Sequence, residues 1–231
     1  MFVDDRAEND AFIKKIVERI KNSTEQSIPF HDFMECCLYD PEHGYYTNER
    51  QKIGKNGDFY TSSSIGTVFG EVLARFFSAA IKTNFTLSEP VQLVEWGGGT
   101  GMLAKHILDE LKRFAPQVYE AVRLISVEAS PSLQNEQREN LAGHAGKVEF
   151  VRAEEWPSVK QRRNTLIYAN ELLDAFPVHR VTMQNGALCE VYVGWNERTA
   201  AFCEMLRPLS SRPVADYLQS YGIRLKEGQQ A

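Results

Sequence analysis

Val91-Gln92-Leu93-Val94-Glu95-Trp96-Gly97-Gly98-Gly99-Thr100-Gly101 is the stretch on which the reading of this chain turns. It opens as a short β-prone run and ends in four glycines within five positions. Directly after it, Leu103, Ile107, Leu108, Leu111 and Phe114 recur at helical spacing over residues 102–114. Strand, glycine turn and helix in that order begin a βαβ unit. The alternation continues downstream, with strands predicted over 123–128, 147–152 and 164–170 and a helix over 131–142. Strands alternating with helices predict an α/β fold around a parallel sheet.

Upstream of this core the pattern is helical. Residues 8–22 carry Phe12, Ile13, Ile16, Val17 and Ile20 on one stripe, and Pro29 suits the first turn of a helix over 29–39. A third helix is predicted over 65–82, with Val68, Val72, Leu73, Phe76 and Phe77 apolar. Residues 40–64 have no periodicity and are long for an idle loop. Beyond the four core strands, 179–184 and 187–195 read as two strands joined at Asn185-Gly186, a strong hairpin signal. The tail from 197 is weakly periodic.

The 231 residues carry a formal net charge of -5, with 43% apolar and 25% charged residues, as in a globular protein. Mild acidity argues against a nucleic-acid binder, which would show a basic patch, and leaves a basic protein substrate open. No apolar run approaches the roughly 18 residues that span a bilayer, so no membrane association is expected. The first ten residues are acidic and lack the apolar core of a signal peptide, which points to the cytoplasm. Cys36, Cys37, Cys189 and Cys203 form no CxxC pair and read as reduced, small apolar residues. The five histidines have no metal-ligand spacing, and no metal is expected.

Two cofactor classes use a glycine turn between strand and helix, where backbone and free helix amides approach a ligand closely. Gly99-Thr100-Gly101-Met102-Leu103-Ala104 satisfies the GxGxxA pattern of a dinucleotide site. Glu95 followed by Gly97, Gly99 and Gly101 satisfies the acidic-residue-then-GxGxG pattern of an S-adenosylmethionine site. The second reading is preferred, because Glu95 would repel a pyrophosphate but can address the methionine end of a cationic cofactor. Glu128, at the end of the second strand, suits both ribose hydroxyls and does not discriminate. Glu154, past the third strand, is the candidate adenine contact.

After the fourth strand comes Asn170-Glu171-Leu172-Leu173-Asp174-Ala175-Phe176-Pro177. Asn170 is a candidate cofactor contact. Glu171 and Asp174 are the candidate catalytic carboxylates, three apart and therefore on one face if the segment is helical. The chain divides on this reading into a helical and irregular segment, 1–86, that covers the cofactor site, and a Rossmann-like core with hairpin and tail, 87–231.

These motifs together resemble the MidA family of S-adenosylmethionine-dependent methyltransferases, which includes a mitochondrial complex I assembly factor that methylates a protein arginine. The resemblance is carried by Phe30-His31-Asp32-Phe33-Met34, by Leu38-Tyr39-Asp40-Pro41-Glu42-His43-Gly44-Tyr45-Tyr46 and by Gly57-Asp58-Phe59-Tyr60-Thr61-Ser62. It continues through Val68-Phe69-Gly70-Glu71, the glycine turn, Glu128-Ala129-Ser130-Pro131 with Gln137, and the segment 170–177. It implies a class I methyltransferase acting on a protein arginine, with Asp58, Phe59, Thr61 and Ser62 helping to enclose the cofactor. Ser63-Ser64 departs from the family's Pro-Glu at that place and removes a carboxylate. The resemblance also implies a longer chain with further strands, so an incomplete sheet with an open edge beside the fourth strand is expected. Pairing with another chain, as in a homodimer, or a rearrangement is expected to cover that edge. Two rival readings stand beside this one: a nicotinamide-dependent oxidoreductase, and a protein of the same fold that has lost turnover and serves in assembly.

Overall fold

The computed structural model describes residues 5–47, 66–158 and 164–231. It comprises two compact units, the first of residues 1–48 with 175–231 and the second of residues 49–174.

The second unit holds helix α3 (Val68–Asn84), strand β2 (Val91–Trp96), helices α4 (Met102–Phe114) and α5 (Pro116–Ala121), strand β3 (Val122–Val127), helix α6 (Pro131–Asn140), strand β4 (Val148–Val151) and strand β5 (Thr165–Ala169). The strands form a parallel sheet in the order β4-β3-β2-β5, as the alternation predicts. Both faces are covered, which is why β2 carries buried side chains in succession. Val91 and Leu93 face a core built with Ala74, Phe77 and Ile81 of α3 and Leu103, Ile107, Leu108 and Leu111 of α4. Val94 faces the other side, with Ile125, Val127 and Val151. Among the described residues β5 pairs with β2 alone, so its other side is an edge of the sheet, and Ile167 on it is exposed.

The first unit holds helix α1 (Asp5–Asn22), strand β1 (Ser27–Pro29), helix α2 (Phe30–Tyr39), strands β6 (Val181–Gln184), β7 (Ala187–Asn196) and β8 (Ala201–Arg207), and helix α7 (Arg212–Ser220). The long strand β7 is central and antiparallel to all three partners: β8 on one side, β6 and then β1 on the other. Asn185 and Gly186 both take positive φ, 52° and 71°, as the type I′ hairpin turn demands. The apolar stripe of α1 supplies Ile16 and Ile20 to a core with Ile28 and Val193.

Three differences from the sequence reading have physical causes. The unit boundary does not fall at residue 87, because α3 contributes core residues to the parallel sheet. The hairpin is part of a four-stranded sheet, because β8 and the three-residue β1 pair with β7. In α3 the apolar residues Val68, Val72 and Phe76 lie exposed, the packed face being Ala74, Phe77 and Ile81. No helix among the described residues is long and apolar enough to cross a membrane.

Candidate functional site

Register across the parallel sheet builds the floor of the site. Val148, Leu124, Leu93 and Leu166 are aligned neighbours on four strands and form an apolar row. Two residues further along, on the same face, the row is Phe150, Ser126, Glu95 and Tyr168. The core therefore turns polar at the carboxyl ends of the strands, beneath the glycine turn.

Glu95 is 2% exposed, and its Oε2 has no hydrogen-bond partner among the described residues. Burial pushes its carboxyl up to about 7, the Tyr168 hydroxyl works against that shift, and the negative charge of Glu128 adds to it. The geometry between Glu95 and Tyr168 falls short of a normal hydrogen bond, for the buried Tyr168 hydroxyl is also without a partner. It nevertheless lies close enough to influence the carboxyl, and burial and Glu95 together raise the phenol well above its usual range.

Gly97, Gly99 and Gly101 take φ of 66°, 55° and 79°, the left-handed region in which a side chain is strained. Gly98 serves differently: a Cβ there would overlap Glu95 Oε2. The turn thus lies directly on the carboxylate, leaving a bare cradle above it. Helix α4 begins at Gly101 with no side chain among the described residues capping its first turn, so its free amides can meet a ligand.

Helix α6 fixes the turn from the side. Gln137 is fully buried. Its Nε2 donates to the Gly99 carbonyl at 2.8 Å and its Oε1 accepts from Ser126 Oγ at 2.8 Å. Asn140 Nδ2 donates to the Thr100 carbonyl at 2.9 Å. Gln134 Nε2 donates to the carbonyls of Glu128 and Val151, both at 3.1 Å. One face of a helix, at spacing i, i+3 and i+6, so holds the ends of β2, β3 and β4. Sequence reading named only Gln137, and only through the resemblance; the three amides at that spacing were the available signal.

Glu128 is 8% exposed and accepts the Ser130 amide at 3.0 Å. Burial raises its pKa, while the amides of Ser130, Gly99 and Ala129 hold it down. Glu95, Gly97, Gly99, Gly101 and Glu128 are therefore one cluster. Leu172 joins them, its Cδ1 lying 2.7 Å from where a Gly97 Cβ would stand, which brings the segment after β5 beside the turn. In that segment Asn170 is half-buried, and Glu171 and Asp174 are exposed. The shared helical face expected for those two carboxylates is not formed. Glu171 takes a left-handed φ of 50°, and only Leu173–Ala175 makes a single 3-10 turn. Glu154 stands apart at the end of β4, exposed and paired with Arg152 at 3.2 Å. Asp58, Phe59, Thr61 and Ser62 lie outside the described residues.

In the first unit, two groups bring donor atoms of possible metal-ligand type together, His31 with Asp32 and Glu35, and Asp40 with Glu42 and His43. Both already have cationic neighbours, Arg19 beside Asp32 at 3.2 Å and Lys15 beside Asp40 at 2.7 Å. The four cysteines are free and half-buried.

Comparison with known proteins agrees with this geometry. Residues 72–231 match a family described as "Putative S-adenosyl-L-methionine-dependent methyltransferase". The chain is 29% identical over 192 residues to the protein arginine methyltransferase NDUFAF7 homolog, mitochondrial, of Drosophila melanogaster, covering 76% of this chain and 43% of that protein. It is 27% identical over 212 residues to the Xenopus laevis protein arginine methyltransferase NDUFAF7, mitochondrial, covering 83% of this chain and 46% of that one. A crystal structure of a COG1565 superfamily member from Burkholderia thailandensis bound to S-adenosyl-homocysteine superposes with a TM-score of 0.77 and 30% identity, over 97% of this chain and 56% of that one. The chain thus spans about half the length of the curated relatives it matches. These findings do not favour the oxidoreductase or the assembly-only reading. They also overturn the cytoplasmic expectation, since the curated relatives are named as mitochondrial proteins. That expectation rested on ten residues, acidic and without an apolar signal core, which is slight ground in a chain spanning half of its relatives.

Proposed function

The chain belongs to this family of S-adenosyl-L-methionine-dependent methyltransferases, and from that membership we propose that it methylates an arginine side chain of a protein substrate. The observation that carries the reading is the cradle itself: three left-handed glycines, and a fourth pressed onto a buried carboxylate whose Oε2 has no partner among the described residues. A buried carboxylate is costly unless it meets a cation or a donor. A cofactor with an ammonium and a sulfonium fits that need, as a pyrophosphate does not.

When bound, S-adenosyl-L-methionine supplies a methyl group on a positively charged sulfur. In our assignment Glu95, with the backbone at Gly97, Gly99 and Gly101, holds its methionine end. Glu128 receives the ribose hydroxyls, exchanging backbone amide bonds for them. Glu154 meets the adenine after turning from Arg152, and Asn170 closes the side next to β5. Asp58, Phe59, Thr61 and Ser62 are assigned to the same cofactor on the family resemblance alone.

Glu171 and Asp174 take the acceptor. A guanidinium stays protonated at neutral pH and matches a carboxylate bidentately. Held between two carboxylates, it presents one nitrogen to the methyl group, and the proton that this nitrogen loses passes to a carboxylate oxygen. Alignment of the two reactants supplies most of the rate. The left-handed Glu171 costs about 1–2 kcal/mol, and strain of that kind gathers where a side chain must be aimed.

Two experiments test this. Calorimetric titration with S-adenosyl-L-methionine, S-adenosyl-homocysteine and NAD should show saturable binding of the sulfur cofactors only; selective binding of NAD would refute the assignment. Glu171→Gln and Asp174→Asn should each lower methyl transfer to arginine-containing protein by about 100-fold or more with cofactor affinity unchanged. Full turnover in both variants would remove these residues from the mechanism.

A further inference from the structure

We propose that Tyr168 is a positioning residue of this site: from β5 it governs the charge on Glu95, and through it the pH above which the glycine turn takes a cationic cofactor. The inference rests on the proposed function for the identity of that cofactor, while its first measurement needs none.

Tyr168 stands beside Glu95 in the parallel register of β2 and β5, on the same face of the sheet. One row earlier the corresponding place is filled by Leu166. The Tyr168 ring packs on Phe77 with centroids 5.1 Å apart, against the apolar core. A phenylalanine would supply that packing without the hydroxyl. The hydroxyl is buried with no hydrogen-bond partner among the described residues, an unfavourable arrangement unless something nearby compensates it. What it faces is the Glu95 carboxyl, itself buried with Oε2 unpartnered. Two polar groups, each without another partner among the described residues, thus meet side by side in the row below the cofactor cradle.

Their effects oppose burial. Among the described residues the titratable groups facing Glu95 are Tyr168 and, beyond the end of β3, Glu128. Burial and Glu128 both favour the protonated carboxyl, and Tyr168 alone favours the carboxylate. Ser126 and Gln137, the remaining polar neighbours along the row, are neutral and bonded to one another. The balance places the Glu95 carboxyl at about 7, so near neutrality the hydroxyl decides which form prevails. Only the carboxylate attracts a cation. Tyr168 therefore widens the pH range over which the cradle is charged for its ligand.

The test starts from the unliganded chain. Glutamate carboxyl carbons are labelled with 13C and titrated by NMR, with Glu95→Gln identifying the Glu95 signal. The midpoint should lie near neutrality in the unsubstituted protein and at higher pH in Tyr168→Phe. Calorimetry with S-adenosyl-L-methionine follows. Affinity should fall about tenfold per pH unit below the midpoint, the profile of Tyr168→Phe should be displaced by as much as its NMR midpoint, and that of Glu95→Gln should be flat. An unmoved midpoint in folded Tyr168→Phe would overturn the inference, as would a moved midpoint that binding does not follow. Should Tyr168→Phe fail to fold, the pair is read from the other side. Ultraviolet titration of the phenol should then shift to lower pH in Glu95→Gln, and an unchanged phenol would refute the coupling. Absence of S-adenosyl-L-methionine binding at every pH, with the NMR shift intact, would instead strike the proposed function and the cofactor role built on it.

Discussion

A carboxyl held at about 7 inside a folded chain has consequences for stability as well as for binding. Unfolded, Glu95 titrates near the ordinary 4.5. Between those two values the unfolded chain has released a proton that the folded one retains, so stability is greatest below the lower value and declines as pH rises through the upper one. Over a window of that width the loss is about 3 kcal/mol, at roughly 1.4 kcal/mol per unit. Glu95→Gln cannot ionise and escapes the decline. Thermal unfolding of the unliganded protein should therefore show the variant gaining on the unsubstituted chain by several degrees between about pH 5 and about pH 8. A gap that stays constant with pH would mean that Glu95 is already charged in the empty site. Glu95 and the alternate glycines were legible in the sequence, because an acidic residue before GxGxG is a local pattern. Its partner Tyr168 was not, since strand register joins residues that are far apart along the chain.

Among the elements, α6 has a task that its composition conceals. Its apolar content is small, and among its residues the fully buried side chain is an amide, Gln137. Replacing that residue by leucine would keep the volume and strip both bonds, leaving the Gly99 carbonyl and the Ser126 hydroxyl without their partner. The expected cost is about 1–3 kcal/mol in stability. Cofactor affinity should drop as well, because Gly99 is no longer held in its left-handed conformation. Calorimetry and chemical denaturation on Gln137→Leu check both effects, and retention of full affinity would show that the glycines fix the turn unaided. Element types were readable where the period was clean, as in β2, α4 and the hairpin. Strand β8 was missed because apolar residues occupy both of its faces, Phe202 and Leu206 on one and Cys203 and Met205 on the other. Strand β1 was missed because three residues carry no period. The helical turn expected over Glu171 to Asp174 fails at Glu171, whose left-handed backbone is a tertiary choice that no local pattern announces.

At the scale of the whole molecule the class of fold was legible, because a parallel sheet is written as repeated strand–helix alternation. The partition of the chain was not. The first unit is assembled from both flanks of the sequence, with Ile28 of β1 opposite Val193 of β7. This arrangement orders events in time. Each parallel pairing in the second unit joins strands linked by an intervening segment of it, whereas β1 cannot find its partner until β7, beyond the whole of the parallel sheet, is available. Closing the longer loop is the slower step. As the polypeptide emerges from a ribosome, α1, β1 and α2 precede β7 and must wait for it, with the apolar faces of Ile16, Ile20 and Ile28 uncovered. Pulse-labelled hydrogen exchange during refolding should find amides of β2 and β3 protected before those of Ser27–Pro29, and the reverse order would show that the first unit organises without β7. Within this pair of units, the segment made ahead of the parallel sheet is thus finished after it, and it is there that a chaperone would have most to shield.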